Sequence, residues 1–332
     1  MVRRISTRAL WALLTIWAVV TLAFFINQTL PADPARAIAG PQARPADVAR
    51  IRVQLGLDRP VFTQYRIFMG RLVHVGPREP KPREHASCET FGPFHVDLGT
   101  SYQMRRPVAR VIGERFPRTF FLAICAVLVE VILGVALGVV AAVKRNTAWD
   151  YGTVTLTLVG ISAPTFLTGI LLQYLFGYRL RWLPLDGYGL TFAEHAVSIV
   201  LPALTLGIAG AAYYTRLVRD DMIDIMKQDF VRTAQAKGVS PLGVVVRHAL
   251  RNALLPLVTV VGLDLGTLVG GAIVTEKLFR WPGLGQLSVD SVFARDAPII
   301  LGTVIVASTA IVLSNLLVDV SYALLDPRVR AR

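Results

Sequence analysis

The run TFFLAICAVLVEVILGVALGVVAAV, Thr119 to Val143, contains a single charged residue, Glu130. An α-helix rises about 1.5 Å per residue and the hydrocarbon core of a membrane is about 30 Å thick, so about 20 apolar residues can cross it. Because lipid offers no hydrogen-bond partners to backbone N–H and C=O groups, such a run must be helical. Thr119 to Val143 therefore predicts a membrane-spanning helix.

Five further stretches of the same kind lie on either side of this run, and Asp264 is their only charged residue. They are Ala9 to Leu30, Tyr151 to Tyr178, Ala196 to Thr215, Ala253 to Thr275 and Ala297 to Leu317. The chain as a whole is 54% hydrophobic and 17% charged, which is too apolar for an ordinary soluble domain. The predicted fold class is an all-α membrane protein with six transmembrane helices.

The first stretch could also be a secretory signal, because Arg3, Arg4 and Arg8 precede it. Its apolar run is longer than that of a typical signal and no small-residue cleavage site follows, so we expect a membrane anchor. If the N-terminus is inside, three loops or tails and the N-terminal segment are cytoplasmic. These inner segments carry more Lys and Arg than the two short outer loops do. This bias predicts that both termini are cytoplasmic.

The predicted organisation has four parts. They are a cytoplasmic N-terminus with the first span (1–30), an extracytoplasmic subdomain (31–118), a five-helix core (119–320) with a cytoplasmic loop at 216–255, and a cytoplasmic tail (321–332). The net charge of +13 does not indicate nucleic-acid binding, because the basic residues are spread over both membrane faces without interleaved aromatics.

Within the outer subdomain, Asp47 is expected to cap a short helix that ends at Gly56, and the Pro- and Gly-rich stretch Gly76 to Gly99 predicts an extended loop or a hairpin. Potential metal ligands are present there, but their spacing matches no tight zinc pattern, so we expect no metal site. These ligands are His74, His85, Cys88 and His95. Cys88 and Cys125 are assigned to different compartments, which predicts no disulfide.

The cytoplasmic loop shows two amphipathic helical patterns. In the first, apolar residues at Met222, Ile225, Met226 and Phe230 predict one helix that is broken at Gly238. Ser240 and Pro241 then form an N-cap and first-turn pair. The second helix is expected to carry an apolar stripe of Leu242, Val245, Val246 and Ala249, with Arg247, His248 and Arg251 on the other face.

The run VRTAQAKGVSPLGVVVRHALRNALLPLVT, Val231 to Thr259, resembles the cytoplasmic EAA-type loop of permease subunits of the dipeptide, oligopeptide and nickel ABC importer family. Further stretches are similar to the same family in the same order: LPADPA (Leu30 to Ala35), LGLDRPVFTQY (Leu55 to Tyr65), DLGTSY (Asp97 to Tyr102), WPGLGQL (Trp281 to Leu287) and LLDPRVR near the C-terminus. The chain departs from the family pattern at Ala32 and Gln235 and by an insertion at Gly76 to Phe94. The resemblance implies a fold of the MetI-like type in the bacterial cytoplasmic membrane.

The resemblance also implies how the chain works. It would be a non-catalytic subunit that imports dipeptides or oligopeptides, with nickel or another small solute as the alternative cargo. Coupling to the ATPase would rest on a continuous run: Arg232, Thr233, Ala234, Gln235, Ala236, Lys237, Gly238, Val239 and Ser240. The implied partners are a second homologous permease, two ABC ATPase subunits or domains, an extracytoplasmic substrate-binding protein and membrane lipid.

No GxxxxGK[ST] loop occurs, so no cofactor is expected on this chain, and ATP with Mg²⁺ would be used by the partner ATPases. A secondary transporter and an intramembrane enzyme are the remote alternatives, but no internal repeat and no HExxH or GxSxG motif supports them.

Glu130 and Asp264 are the candidate residues of the translocation path, because a carboxylate inside a span is costly and usually functional or paired. The alternative is that each is paired, protonated or hydrogen-bonded between helices. Pro164 and Pro202 are expected to kink their spans, and the glycines of Gly134/Gly138 and of Gly262/Gly266/Gly270 are expected to permit close helix packing.

Overall fold

The computed structural model describes residues 2–29, 34–40, 42–75, 88–91 and 94–325. The chain forms two compact units, Met1–Thr119 with Pro282–Val312, and Phe120–Trp281 with Leu313–Arg332. Residues 282–312, which the sequence pattern assigned to the five-helix core, thus group with the N-terminal part of the chain. We call the two parts the first and the second unit.

The first unit contains four helices before the sheet and three after it, of which two continue into the second unit. These are α1 (Val2–Thr29), α2 (Pro34–Ala39), α3 (Pro45–Gln54), α4 (Val61–Leu72), the first part of α5 (Val108–Val143), α14 (Leu284–Phe293) and the first part of α15 (Ala297–Leu325). Helix α3 confirms the short helix expected near Asp47, but the cap residue is Arg44, because Pro45 begins the helix. Asp47 lies in the first helical turn.

Three short strands make a small antiparallel sheet, which qualifies the all-α prediction. They are β1 (Val73–Val75), β2 (Cys88–Phe91) and β3 (Phe94–Asp97), in the order β1-β3-β2. Strand β3 pairs Val96 with Val73 and with Glu89, so β2 and β3 form the expected hairpin. Most of the proposed insertion, including His85, lies outside the described residues, as do the side chains of His74 and Cys88.

Aromatic and aliphatic side chains hold the first unit together. Phe24 of α1 stacks on Phe68 of α4 with ring centroids 5.2 Å apart. The buried core continues through the three later helices of this unit and through the segment after the sheet. Its members are Val20, Leu98, Val108, Val111, Ile112, Leu284, Leu287, Ile299 and Ile305.

The second unit holds the remaining helices. They are the rest of α5, α6 (Ala148–Ser162), α7 (Thr165–Leu172) with a π-helical turn at Gln173–Arg179, α8 (Phe192–Ser198), α9 (Val200–Ile225), α10 (Asp229–Ala236), α11 (Pro241–Gly243) with a π-helical turn at Val244–Leu250, α12 (Arg251–Val269), α13 (Ile273–Leu278) and the end of α15.

Five helical stretches in the described residues are long and apolar enough to cross a membrane, and the number rises to six if a bent pair counts as one span. The bent pair is α6 with α7, whose axes differ by 105° at the break before Thr165. This bend confirms the kink predicted at Pro164. Its physical cause is that proline cannot donate the helical hydrogen bond. Pro202 lies in the first turn of α9, directly after the separate helix α8.

Several helices differ in length from the predicted apolar spans. Helix α5 begins at Val108 rather than Thr119, and α9 continues to Ile225 rather than ending at Thr215. Helix α12 ends at Val269 rather than Thr275, and the chain then turns at Gly271 with φ of +122°. Helices α5 and α9 thus continue beyond their apolar runs into polar sequence.

Helix α9 packs closely on α5 in the second unit. A Cβ added at Gly138 of α5 would lie 2.8 Å from the carbonyl oxygen of Thr215, and one added at Gly134 would collide with Tyr214. A Cβ at Gly262 of α12 would likewise collide with Val318 of α15. The close packing expected from the small residues is confirmed at these positions.

Candidate functional site

A short segment joins the two long helices α9 and α12, and we call it the connecting segment, residues 226–250. Helix α9 ends at Ile225, and Gln228, in an extended conformation, precedes α10. The single helix predicted across Met222 to Phe230 is therefore two helices, with a turn at 226–228. Gly238 ends the second one with φ of +79°, as predicted.

Ser240 caps the next helix as the sequence indicated. Its hydroxyl accepts a hydrogen bond from the Gly243 backbone N–H at 3.2 Å, and Pro241 occupies the first turn. The break at Gly238 and the cap at Ser240 together fix the direction in which the chain returns toward α12. The backbone of this turn is thus held by local bonds alone.

The connecting segment exposes most of its polar residues. From Arg232 to Ser240 only Ala234 is buried and Val239 half-buried, while the other residues are exposed. The Arg232 side chain is 73% exposed and its nearest carboxylate, Asp229, is 3.8 Å away. This segment therefore presents exposed cations and backbone groups on its surface.

The buried side of the segment packs on the π-helical turn. Val231 and Ala234 of α10 are buried, as are Val244, Val245 and Ala249 of the turn. Leu242 and Val246, which the sequence placed on the apolar stripe, are 74% and 53% exposed. The predicted stripe is therefore buried at Val245 and Ala249 and exposed at Leu242, which lies in α11, and at Val246.

The two intramembrane acids, Glu130 of α5 and Asp264 of α12, converge on Tyr214 of α9. The Tyr214 hydroxyl donates to Asp264 Oδ2 at 3.0 Å. Glu130 interacts with both Asp264 and Tyr214, and its carboxyl group packs against Gly210. Glu130 is 2% exposed and its Oε2 has no hydrogen-bond partner among the described residues, whereas Asp264 is half-buried. We call Glu130, Tyr214 and Asp264 the acid cluster.

The sequence reading missed Tyr214 and an ion pair between Asp150 and Arg219. Asp150 lies in the first turn of α6, and its two carboxylate oxygens accept from Arg219 Nε and Nη2 at 2.6 and 3.0 Å. One available signal was that opposite charges flank two spans at the same predicted membrane face. Tyr214 carried no such signal, because an uncharged residue in an apolar span is unremarkable.

A third polar cluster lies in the first unit. Ser101 donates its hydroxyl hydrogen to Asp296, and the backbone N–H groups of Tyr102 and Gln103 donate to the same carboxylate at 3.1 and 3.2 Å. Burial, aided by the Asp296 charge, raises the pKa of Tyr102 to about 12. These contacts give the DLGTSY stretch a structural role, which is to join the segment before α5 to the one before α15.

No group of three or more His, Cys, Asp or Glu residues suited to a metal ion occurs in the part of the chain that the structure describes. His95 is buried on β3, and the side chain of Cys125 is a free thiol within α5. The described residues therefore place none of the potential ligands in a metal-binding arrangement.

Long apolar helices joined by an exposed basic segment are typical of a multi-pass membrane protein. Residues 134–331 match the family described as "Binding-protein-dependent transport system inner membrane component", and residues 1–123 match its N-terminal companion. The chain belongs to this family of ABC importer permeases, whose members are transport subunits of the inner membrane rather than catalytic subunits.

Curated relatives agree along nearly the whole chain. The "Glutathione transport system permease protein GsiC" of Salmonella choleraesuis (strain SC-B67) is 42% identical over 330 residues, which cover 99% of each chain. The protein of the same name from Escherichia coli (strain K12) is 41% identical with the same coverage. The family resemblance stated from the motifs is thereby confirmed.

A solved structure of the MetNI methionine ABC transporter in an inward-facing conformation shares the fold. It aligns with a TM-score of 0.53 and 20% identity, covering 68% of this chain and 97% of the other. This likeness confirms the MetI-like permease fold.

Proposed function

We propose that this ABC importer permease subunit carries peptides across the inner membrane. The supporting observation is the 41–42% identity, over 99% of each chain, to permeases named for glutathione, which is itself a peptide. The match runs through both units, so it includes the spans and the outer segments that a cargo would meet.

The proposed assembly contains a second homologous permease, two ABC ATPase subunits or domains that use ATP and Mg²⁺, and an extracytoplasmic substrate-binding protein. Both termini and the connecting segment face the cytoplasm in this proposal. The excess of Lys and Arg on that side supports the orientation.

The proposed contact with the ATPase is the run Arg232 to Ser240. Its exposed cations, Arg232 and Lys237, suit acidic groups on a partner, and the local bonds around Gly238 and Ser240 make the turn stiff. A stiff element passes a rigid-body displacement on to the helices attached to it. Helices α9 and α12 are attached at its two ends.

We further propose that the acid cluster borders the translocation path. Asp264 is half-buried and is the member that can meet the positive end of a peptide, while Glu130 is covered by residues of this chain. In this arrangement Tyr214 holds the Asp264 carboxylate in place at 3.0 Å, and Glu130 supports it from α5.

The test is transport by the purified complex in proteoliposomes. ATP-driven accumulation of a labelled dipeptide, of labelled glutathione and of Ni²⁺ is compared. The substrate-binding protein is added on the extracytoplasmic side of the permease. Accumulation of either peptide, but not of Ni²⁺, is expected. Uptake of Ni²⁺ alone would contradict the peptide assignment.

A matched pair of variants tests the coupling contact. Gly238→Pro cannot adopt φ of +79°, so ATP-driven uptake should fall to background while the protein stays in the membrane. Gly187→Pro is the control, because Gly187 also has a positive φ, +93°, and lies outside the connecting segment. Equal loss of uptake in both variants would argue for general misfolding.

A further inference from the structure

A bidentate ion pair fastens the end of α9 to the start of α6. Arg219 Nε and Nη2 donate to the two oxygens of Asp150 at 2.6 and 3.0 Å. Asp150 is 2% exposed, and the side chain of Arg219 is 22% exposed. Parallel hydrogen bonds of this kind fix the orientation of both groups as well as their distance.

The surroundings of Asp150 reinforce this geometry. The backbone N–H of Asn146 donates to Asp150 Oδ2 at 3.0 Å, and Asn146 itself has φ of +60°. The Lys144 ammonium lies 4.7 Å from the centre of the Trp149 ring. The turn between α5 and α6 is therefore built around the carboxylate that receives Arg219.

Helix α9 connects this ion pair to the connecting segment without a break. Its face at Tyr214, Val218 and Met222 is buried and packs against Val245 and Ala249 of the π-helical turn. Arg219 lies six residues before the helix ends at Ile225. A displacement of the connecting segment must therefore displace the α9 end that carries Arg219.

We propose that Asp150 and Arg219 form a positioning pair that makes the bent span α6–α7 follow α9 during transport. This inference rests on the proposed function of the connecting segment. The pair binds no cargo and no nucleotide. It links the helix that receives the displacement to the span that is bent by 105° at its middle.

The chain offers a control on the same arginine. Arg219 Nη1 also donates to Asp220 at 2.8 Å, but Asp220 is 55% exposed and adjacent in sequence. An exposed pair of this kind contributes little. Asp220→Asn therefore removes a carboxylate from Arg219 without separating α6 from α9.

The experiment measures cargo taken up per ATP hydrolysed by the full complex in proteoliposomes. The variants are Asp150→Asn, the double variant Asp150→Asn/Arg219→Gln, and the control Asp220→Asn. The double variant leaves no buried charge at this site, so it separates positioning from the penalty of an isolated buried ion. The amount of assembled complex is measured alongside by size-exclusion chromatography.

We expect cargo per ATP to fall roughly tenfold in Asp150→Asn and in the double variant, a factor typical of coupling between sites. Asp220→Asn should stay within about twofold of wild type. A double variant that assembles and keeps the wild-type ratio would overturn the proposal. A double variant that no longer assembles would assign the pair to folding and would overturn it too.

The outcome for wild type separates this inference from the proposed function. Absence of ATP-driven uptake by the wild-type complex would contradict the proposed function. Wild-type uptake that the double variant preserves would contradict only the positioning pair.

Discussion

The connecting segment and the acid cluster place polar groups in opposite situations. The connecting segment leaves Arg232 and most of its neighbours exposed, and the Ser240 hydroxyl caps its turn locally. The acid cluster brings Glu130, Tyr214 and Asp264 from three helices to one point. The first region thus leaves its polar groups exposed, whereas in the second Glu130 is covered by the chain and Asp264 remains half-buried.

The largest effect on stability is expected from replacing a glycine beside the acid cluster. Gly134, beside the acid cluster, has no room for a side chain, because a Cβ there would collide with Tyr214. Gly134→Val should lower the free energy of unfolding by about 3 kcal/mol, since overpacking forces the helices apart. Urea or SDS titration of the purified protein in detergent measures this loss.

Gly152→Val is the control for that substitution. Gly152 lies in α6 and a Cβ there would meet nothing within 4 Å in this chain. The control should change the unfolding free energy by less than about 1 kcal/mol. Equal destabilisation by both variants would show that the close packing at Gly134 is not the cause.

The next largest effect is expected from the tyrosine in the acid cluster. Tyr214→Phe removes the donor to Asp264 and should cost about 1 kcal/mol of stability, within the range for a hydrogen bond between membrane helices. Tyr213→Phe, next to it in sequence but 51% exposed, should be neutral. Thermal unfolding of the two variants side by side checks this, and identical melting curves would argue against a role for the hydroxyl.

In the connecting segment a smaller loss of stability should accompany a larger loss of function. Gly238→Ala meets no steric obstacle, because nothing lies within 4 Å of a Cβ there, but φ of +79° is unfavourable for an L-residue. The expected cost is about 1 kcal/mol, with Gly238→Asn less affected because asparagine tolerates this conformation. Uptake should follow the same order, and an asparagine variant less active than the alanine variant would contradict the backbone explanation.

The smallest effect on stability is expected from an exposed cation of the connecting segment. Arg232→Ala should change the unfolding free energy by less than about 0.5 kcal/mol, because its pair with Asp229 is long and exposed. It should nevertheless reduce ATP-driven uptake by the complex at low salt, and the difference from wild type should shrink at high salt, because salt screens the contact of the wild-type cation. Arg280→Ala is the matched control, since Arg280 is 74% exposed and paired with Asp186 at 3.4 Å. A similar loss of uptake in the control would remove Arg232 from the proposed contact.

The sequence predicted the connecting segment better than the acid cluster, and the reason is physical. The break at Gly238 and the cap at Ser240 depend on residues within a few positions of each other, so composition and order were enough. The meeting of Glu130 with Tyr214 depends on how α5 and α9 pack, and no local pattern contains that information. The Asp150–Arg219 pair was also missed, because the packing of α6 on α9 brings its two residues together.

In the overall fold, too, features set by local sequence were predicted and features set by tertiary contacts were not. The centres of the spans followed from apolar length alone, and the bend at Pro164 from the chemistry of proline. The π-helical turn at Val244–Leu250 did not, because apolar residues there permit both α and π spacing until α9 and α12 are in place. Strand β1 also required a tertiary contact, its pairing with β3.

The open space around Gly238 means that residue 238 is constrained by handedness and not by volume. An L-side chain is penalised there only because its Cβ lies on the wrong side of the backbone when φ is +79°. A D-alanine introduced at this position by semisynthesis would place its methyl group on the favourable side. The mirror-image residue is therefore expected to support the turn that L-alanine strains. Glycine fits this position because its α-carbon carries no side chain on either side.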